Sequence, residues 1–208
     1  MRVEALGENA YILRDLRRTP AETASWIAQS APVGLREAVP AFDSMGVYFE
    51  DGFDIDSLSE PADAVAVGGR DHTIPVCYEL GEDLESVAAE LGLTAPEVVA
   101  LHSEPTYEVV CLGFCPGFAY LLGLPTPLDR VLRRPRPRPR VEPGSVAIAA
   151  GQAAVYPLPT PGGWALLGRT PLVLVDEEAG YFPIEAGDRV RFVPIQRDDF
   201  DARQGERL

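Results

Sequence analysis

The sequence predicts an α+β protein in two parts: a small sheet carrying a helix, then a larger body made mostly of short strands. Three observations predict it. Strand and helix signals alternate before residue 70. Short apolar runs divided by Gly and Pro dominate after residue 104, the pattern of a barrel or sandwich. Proline usage also shifts, since Pro20, Pro32, Pro40 and Pro61 are the only ones of 20 that precede residue 70. Gly68-Gly69 followed by Arg70-Asp71 reads as a linker. The expected divisions are therefore 1–69, 70–197 and a polar, loose tail at 198–208.

In the first part, residues 3–6 and 10–13 read as a hairpin around Gly7-Glu8-Asn9. Thr19-Pro20-Ala21-Glu22 is a capping box with proline at the first helical position, so a helix should run to about residue 30. Residues 35–40 and 45–50 are strand-like. A short helix is expected from Asp54 until Pro61 stops it, and 64–67 reads as a last strand.

The second part opens with a strand at 72–78. Leu84, Val87, Ala88 and Leu91 fall on one helical face, and Gly92 marks its end. Thr94-Ala95-Pro96-Glu97 starts another helix that closes near His102. Strands are then expected at 107–112, 145–149, 153–156, 164–167, 172–175 and 189–193.

Composition narrows the function. The chain has 208 residues, is 46% hydrophobic and carries a net charge of −14. Such a surface repels phosphate backbones and anionic lipid, which argues against nucleic-acid and membrane roles. Every basic residue is arginine, so Schiff-base chemistry and a P-loop lysine are excluded. Cys77, Cys111 and Cys115 lack zinc spacing and read as free thiols of a reducing cytoplasm. No metal-ligand cluster, Ser-His-Asp order or nucleotide fingerprint is present. No apolar run reaches membrane-spanning length and no charged-then-apolar leader opens the sequence, so a cytoplasmic protein is expected.

The centre of the chain is Gly113-Phe114-Cys115-Pro116-Gly117-Phe118, which breaks a strand and ends near Tyr120. It reads either as a corner with its aromatics packed inward or as a pocket wall of aromatic faces and backbone N–H groups. Pro161-Gly162-Gly163-Trp164 is a second turn of the same kind. Between them, Arg133, Arg134, Arg136, Arg138 and Arg140 alternate with prolines that hold the segment extended. These arginines either pair with the protein's own acids or use the guanidinium fork on a carboxylate or phosphate. Of the two histidines, His72 and His102, the second is the catalytic candidate, because it ends a helix directly before the central strand.

Read together, IPVCY (74–78), LHS (101–103), GFCPGFAYLLGLP (113–125), RRPRPR (133–138), GSVAI (144–148), VYPLPTPGGWALLGRTP (155–171) and GDRVRFVP (187–194) resemble the family of bacterial 5-oxoprolinase B subunits. The family is also known as KipI or allophanate hydrolase subunit 1. GENAYIL and EAVPAF extend the resemblance, more loosely, into the first 70 residues. It implies a small α/β sandwich followed by a cyclophilin-like β-barrel, similar to one lobe of the carboxyltransferase domain of biotin-dependent urea carboxylase, with no biotin on this chain. A 5-oxoprolinase C subunit (KipA-like) would supply the related second lobe. The A subunit would complete an enzyme that hydrolyses 5-oxoproline to glutamate with ATP. ATP would act at the assembled complex. A lactam is a resonance-stabilised amide, and phosphorylating its carbonyl oxygen creates a leaving group that water can displace.

Because both Gly/Pro turns carry aromatics near strand ends, a pocket is expected between Phe114, Pro116, Phe118, Tyr120, Gly163 and Trp164, with His102 at its rim. Arg133, Arg134 and Arg138 match the arginines of the family's pattern, and at least one is expected to bind an anionic group. Gly117, Ser145, Gln152, Tyr156 and Gly162 complete the candidates for contact with substrate, nucleotide or partner subunits. Where the family commonly has Gly-Gly and Thr-Gly, this chain has Ala149-Ala150 and Ala153-Ala154, whose methyl groups are expected to narrow a pocket there. The helix after Asp54 is also shorter than in the family. Two other readings stay open: a KipI-like inhibitor of a sensor histidine kinase, and a ligand-binding module with another partner.

Overall fold

The computed structural model describes residues 1–30, 32–50, 54, 55, 58 and 68–208. The chain divides into two compact units, Met1–Gly69 and Arg70–Leu208. The strand expected at 64–67, and most of the short helix expected after Asp54, lie outside the described residues.

In the first unit, β1 (Arg2–Ala5) and β2 (Ala10–Arg14) pair antiparallel. Helix α1 (Pro20–Ser30) follows. Its capping box is formed: Glu22 N–H donates to Thr19 Oγ1 at 3.2 Å, and Thr19 N–H donates to Glu22 Oε2 at 2.9 Å. β3 (Leu35–Ala41) and β4 (Ser44–Phe49) complete an antiparallel sheet of order β1-β2-β4-β3. Trp26 and Ile27 of α1 pack on Leu13, Met45, Val47 and Phe49, which removes the helix's apolar face and one face of the sheet from water.

The second unit is built from β5 (Asp71–Val76), α2 (Leu84–Leu91), α3 (Ala95–Ser103), β6 (Thr106–Leu112), β7 (Ala119–Leu122), β8 (Arg138–Val141), β9 (Ser145–Ala149), β10 (Gln152–Val155), β11 (Thr160–Gly162), β12 (Ala165–Arg169), β13 (Arg189–Pro194) and α4 (Arg197–Ala202). Seven strands form one sheet in the order β12-β9-β10-β7-β6-β13-β5, and β8 pairs with β11 beside it. The β13–β5 pair is parallel. Cys77 and Arg169 exchange both main-chain hydrogen bonds, at 2.8 and 3.0 Å, so the two ends of the sheet meet and the barrel nearly closes.

Every residue of β9 is buried, so the sheet has a core on each face. Val146 and Ile148 join the main core with Val109, Leu121, Leu167 and Phe192. Ala147 and Ala149 join a second cluster with Phe118, Tyr156, Trp164 and Leu166. This two-sided burial follows from the period-2 alternation of a strand covered on both sides. The second cluster is the floor of the site described below.

Three expectations are corrected. Residues 172–175 do not form a strand; Val173 makes a single bridge to Arg207. The segment 198–208 is not loose: Phe200 is buried, Val173 N–H donates to Glu206 O at 2.7 Å, and the Tyr181 hydroxyl donates to Leu208 O. The strand expected at 72–78 ends at Val76 and tightens into a 3₁₀ turn at Tyr78–Leu80. Within the proline-rich run, Arg138–Val141 is a strand, since alternate prolines leave the other residues free to pair with β11.

Candidate functional site

The turn after β6 is held by its own main chain: Gly113 N–H donates to Phe118 O at 3.1 Å and Phe118 N–H to Cys115 O at 3.1 Å. Gly117 has φ +72°, and a Cβ there would stand 2.0 Å from Val175 Cγ2, so no larger residue fits. Phe114 takes the left-handed conformation, φ +69°, and is 61% exposed. A bulky aromatic in that region is strained and held there by its surroundings.

Phe118 is the hub beneath. Its ring centroid lies 5.2 Å from Phe114, 5.0 Å from Tyr120, 5.3 Å from Tyr156 and 5.7 Å from Trp164, each in edge-to-face geometry. The second Gly/Pro turn closes over this layer. Gly162 stands against the Tyr156 hydroxyl, and Arg134 N–H donates to Gly163 O at 2.7 Å. The Arg133 guanidinium lies 5.7 Å from the Trp164 ring centroid, within reach of cation–π attraction.

Together these groups enclose a cavity of about 290 Å³, walled by Phe114, Phe118, Tyr120, Tyr156 and Trp164, with Arg133, Arg134, Pro137, Pro161, Gly162 and Gly163 at its other side. Burial raises the pKa of the Tyr120 and Tyr156 phenols, so both stay protonated and able to donate. The site can enclose a small flat molecule between aromatic faces and offer it hydroxyl donors and one cation.

The arginines divide into two roles. Arg134 and Arg138 both donate to the buried Asp83 carboxylate, Arg138 Nη2 at 2.8 Å to each oxygen, and Arg138 Nε reaches Glu82 at 3.2 Å. Among the described residues Arg133 has no acidic partner. Asp83 was not legible as a site residue. It immediately precedes α2, where an aspartate reads as a helix cap, yet its side chain makes no cap bond. It is turned instead to the two arginines and to Leu166 N–H, which donates to it at 2.8 Å.

The other candidates fall elsewhere. Pro116 and Gly117 belong to the first turn but do not line the cavity. Ser145 is buried and donates to Glu142 O at 2.7 Å. Gln152 opens β10 at a hairpin. The four alanines do not narrow the cavity: Ala149 and Ala154 lie under its floor, Ala153 faces the main core, and Ala150 sits in the β9–β10 turn.

His102 is corrected from a catalytic candidate at the rim to a core histidine. It is fully buried, stacks on Phe192 at 4.6 Å, and its Nδ1 lies 2.7 Å from the Tyr78 hydroxyl. Burial pushes its pKa down to about 3, so it stays neutral and exchanges no proton near neutrality. Helix α3 turns it into the main core between Tyr78, Tyr107 and Phe192. Among the described residues no cluster of His, Cys, Asp or Glu is placed to hold a metal ion, and no helix is long and apolar enough to cross a membrane.

The sequence matches the carboxyltransferase domain family, subdomain C and D, over residues 1–182. It is 35% identical to the 5-oxoprolinase B subunit of Bacillus subtilis (strain 168), across 98% of this chain and 97% of that one. It is 43% identical to the 5-oxoprolinase B subunit of Escherichia coli O157:H7, across 76% and 77%. Among solved structures, TTHA0988 superposes with a TM-score of 0.80 at 36% identity, covering 94% of this chain and 41% of that one, so this chain spans about two fifths of it. The urea amidolyase of K. lactis shares the fold, with a TM-score of 0.67 at 17% identity over 96% of this chain and 15% of that one.

Proposed function

From the fact that this chain belongs to the carboxyltransferase subdomain C and D family, beside the 5-oxoprolinase B subunits, we propose that it is the B subunit of an ATP-dependent 5-oxoprolinase and is inactive alone. The observation that carries this reading is the cavity between the two Gly/Pro turns. At about 290 Å³ it lies at the small end of ligand sites, which run from about 300 Å³, and suits a small cyclic acid. Arg133 would hold the carboxylate against Trp164, and the phenols of Tyr120 and Tyr156 would donate to the lactam carbonyl oxygen. The aromatic walls would keep water from the amide until the site is complete.

On this reading ATP would not occupy this cavity. The chain has no lysine, two of the three arginines beside the cavity are neutralised by Asp83 and Glu82, and the volume is too small for a nucleoside triphosphate. The nucleotide is therefore assigned to other subunits or to a surface shared with them. Phe114, Leu132 and Phe182 are large apolar side chains exposed on this unit. Phe114 lines the cavity and Leu132 directly precedes Arg133, which supports a KipA-like partner closing the mouth.

The test is 5-oxoproline-dependent ATP hydrolysis by this chain alone, by its pair with the C subunit, and by the full set that includes the A subunit. Turnover is expected only with the partners. Comparable turnover by the purified chain alone would overturn the shared-site reading.

A further inference from the structure

Asp83 ties a wall of the cavity to the strand that continues from the opposite wall. One wall is the arginine–proline segment, where Arg134 and Pro137 line the space; the other is the Gly162–Trp164 turn leading into β12. The carboxylate of Asp83 binds Arg134 and Arg138 on the first wall. In β12, two residues beyond Trp164, it accepts from Leu166 N–H at 2.8 Å, and Asp83 N–H donates back to Leu166 O at 2.9 Å. Its side chain is only 7% exposed. An aspartate at this helix start would ordinarily cap the helix, and this one does not.

The charges have a second consequence. Three guanidinium groups, of Arg133, Arg134 and Arg138, face two carboxylates, of Asp83 and Glu82. One positive charge remains, and it sits on Arg133 over Trp164. With Arg133 and Arg134 free on its wall and Arg138 free beside it, the cavity would favour phosphate, with its multiple charge and several acceptor oxygens. This one is left suited to a single negative group.

We infer that Asp83 is a specificity-determining positioning residue: it ties the arginine–proline wall to β12 and, together with Glu82, neutralises two arginines, so that the cavity accepts a singly anionic ligand and rejects phosphate. This rests on the cavity being the ligand site of the proposed enzyme. Asp83→Asn keeps the size and the Leu166 acceptor but removes the charge that holds Arg134 and Arg138.

Two measurements on Asp83→Asn test it. In the assembled enzyme the KM for 5-oxoproline should rise about tenfold or more, because small displacements of positioning groups are costly. In the full chain carrying Trp26→Phe, so that Trp164 alone reports, inorganic phosphate should change the emission at about tenfold lower concentration than in the Asp83 parent, since Arg134 loses its acidic partner while Arg138 keeps only Glu82. A purely structural role does not predict a gain of phosphate affinity. A folded variant with the parent's KM and the parent's phosphate response would overturn the inference. If Asp83→Asn does not fold, Arg134→Gln removes one contact from a half-exposed side chain, and an unchanged KM in that variant overturns it instead. An inactive wild-type assembly would sink the enzyme reading, while the phosphate titration would still decide the role of Asp83.

Discussion

A Cβ on Gly162 would stand 2.4 Å from the hydroxyl oxygen of Tyr156, closer than unbonded atoms approach. Tyr156 is 2% exposed and packs on Phe118 at 5.3 Å, so it can yield only into the cavity it lines. Gly162→Ala should therefore lower stability by about 1–3 kcal/mol and shrink the cavity. A thermal melt and 5-oxoproline turnover of the assembled enzyme check both effects.

The division of the arginines makes opposite predictions for neighbours. Arg133 is exposed and unpaired with any acid among the described residues, so Arg133→Ala should leave stability within about 0.5 kcal/mol while raising KM. Arg138→Ala strips the buried Asp83 of its bidentate partner and should cost about 1–3 kcal/mol. Denaturant unfolding beside substrate titration separates the two.

Ala150 sits at φ +48° and Gly151 at φ +79°, a two-residue turn with both centres left-handed between Ala149 and Gln152. Glycine adopts that conformation without the Cβ clash. Ala150→Gly is expected to raise stability by about 0.5–1 kcal/mol, seen as a higher melting temperature.

His102 should make the protein sensitive to acid. Its pKa falls from 6.5 to about 3 on folding, because burial penalises the cation. The unfolded chain thus binds a proton that the folded chain refuses between those values. This contribution to stability is complete above about pH 6.5 and declines by about 1.4 kcal/mol per pH unit as pH falls toward 3. Unfolding measured at pH 7.5, 6 and 5 for wild type and His102→Gln should show the shallower slope in the variant; equal slopes would refute it.

Much of the fold was legible because its signals are local. Thr94 and Glu97 bond reciprocally at the start of α3, and Gly92 takes φ +68° at the end of α2, as their residue types foretell. The three short strands β7, β8 and β11 were not read, because a four-residue run after a turn and proline-studded segments resemble loop. Only pairing partners make them strands.

By itself the sequence determined the α+β class, the helix starts and stops, the aromatic Gly/Pro turns and the resemblance to a family, all of which rest on spacings of a few residues. Tertiary structure decided which of those residues meet. It joined the turns around 113–118 and 161–164 over one aromatic floor, and it joined Asp83 to arginines 51 and 55 positions away. It also placed His102 in the main core, stacked on Phe192, and turned the Ser145 hydroxyl to Glu142 O and not into the cavity. The physical reason is that burial and charge pairing are set by long-range closure of the barrel, and a strand's alternation says which residues share a face but not what will cover that face.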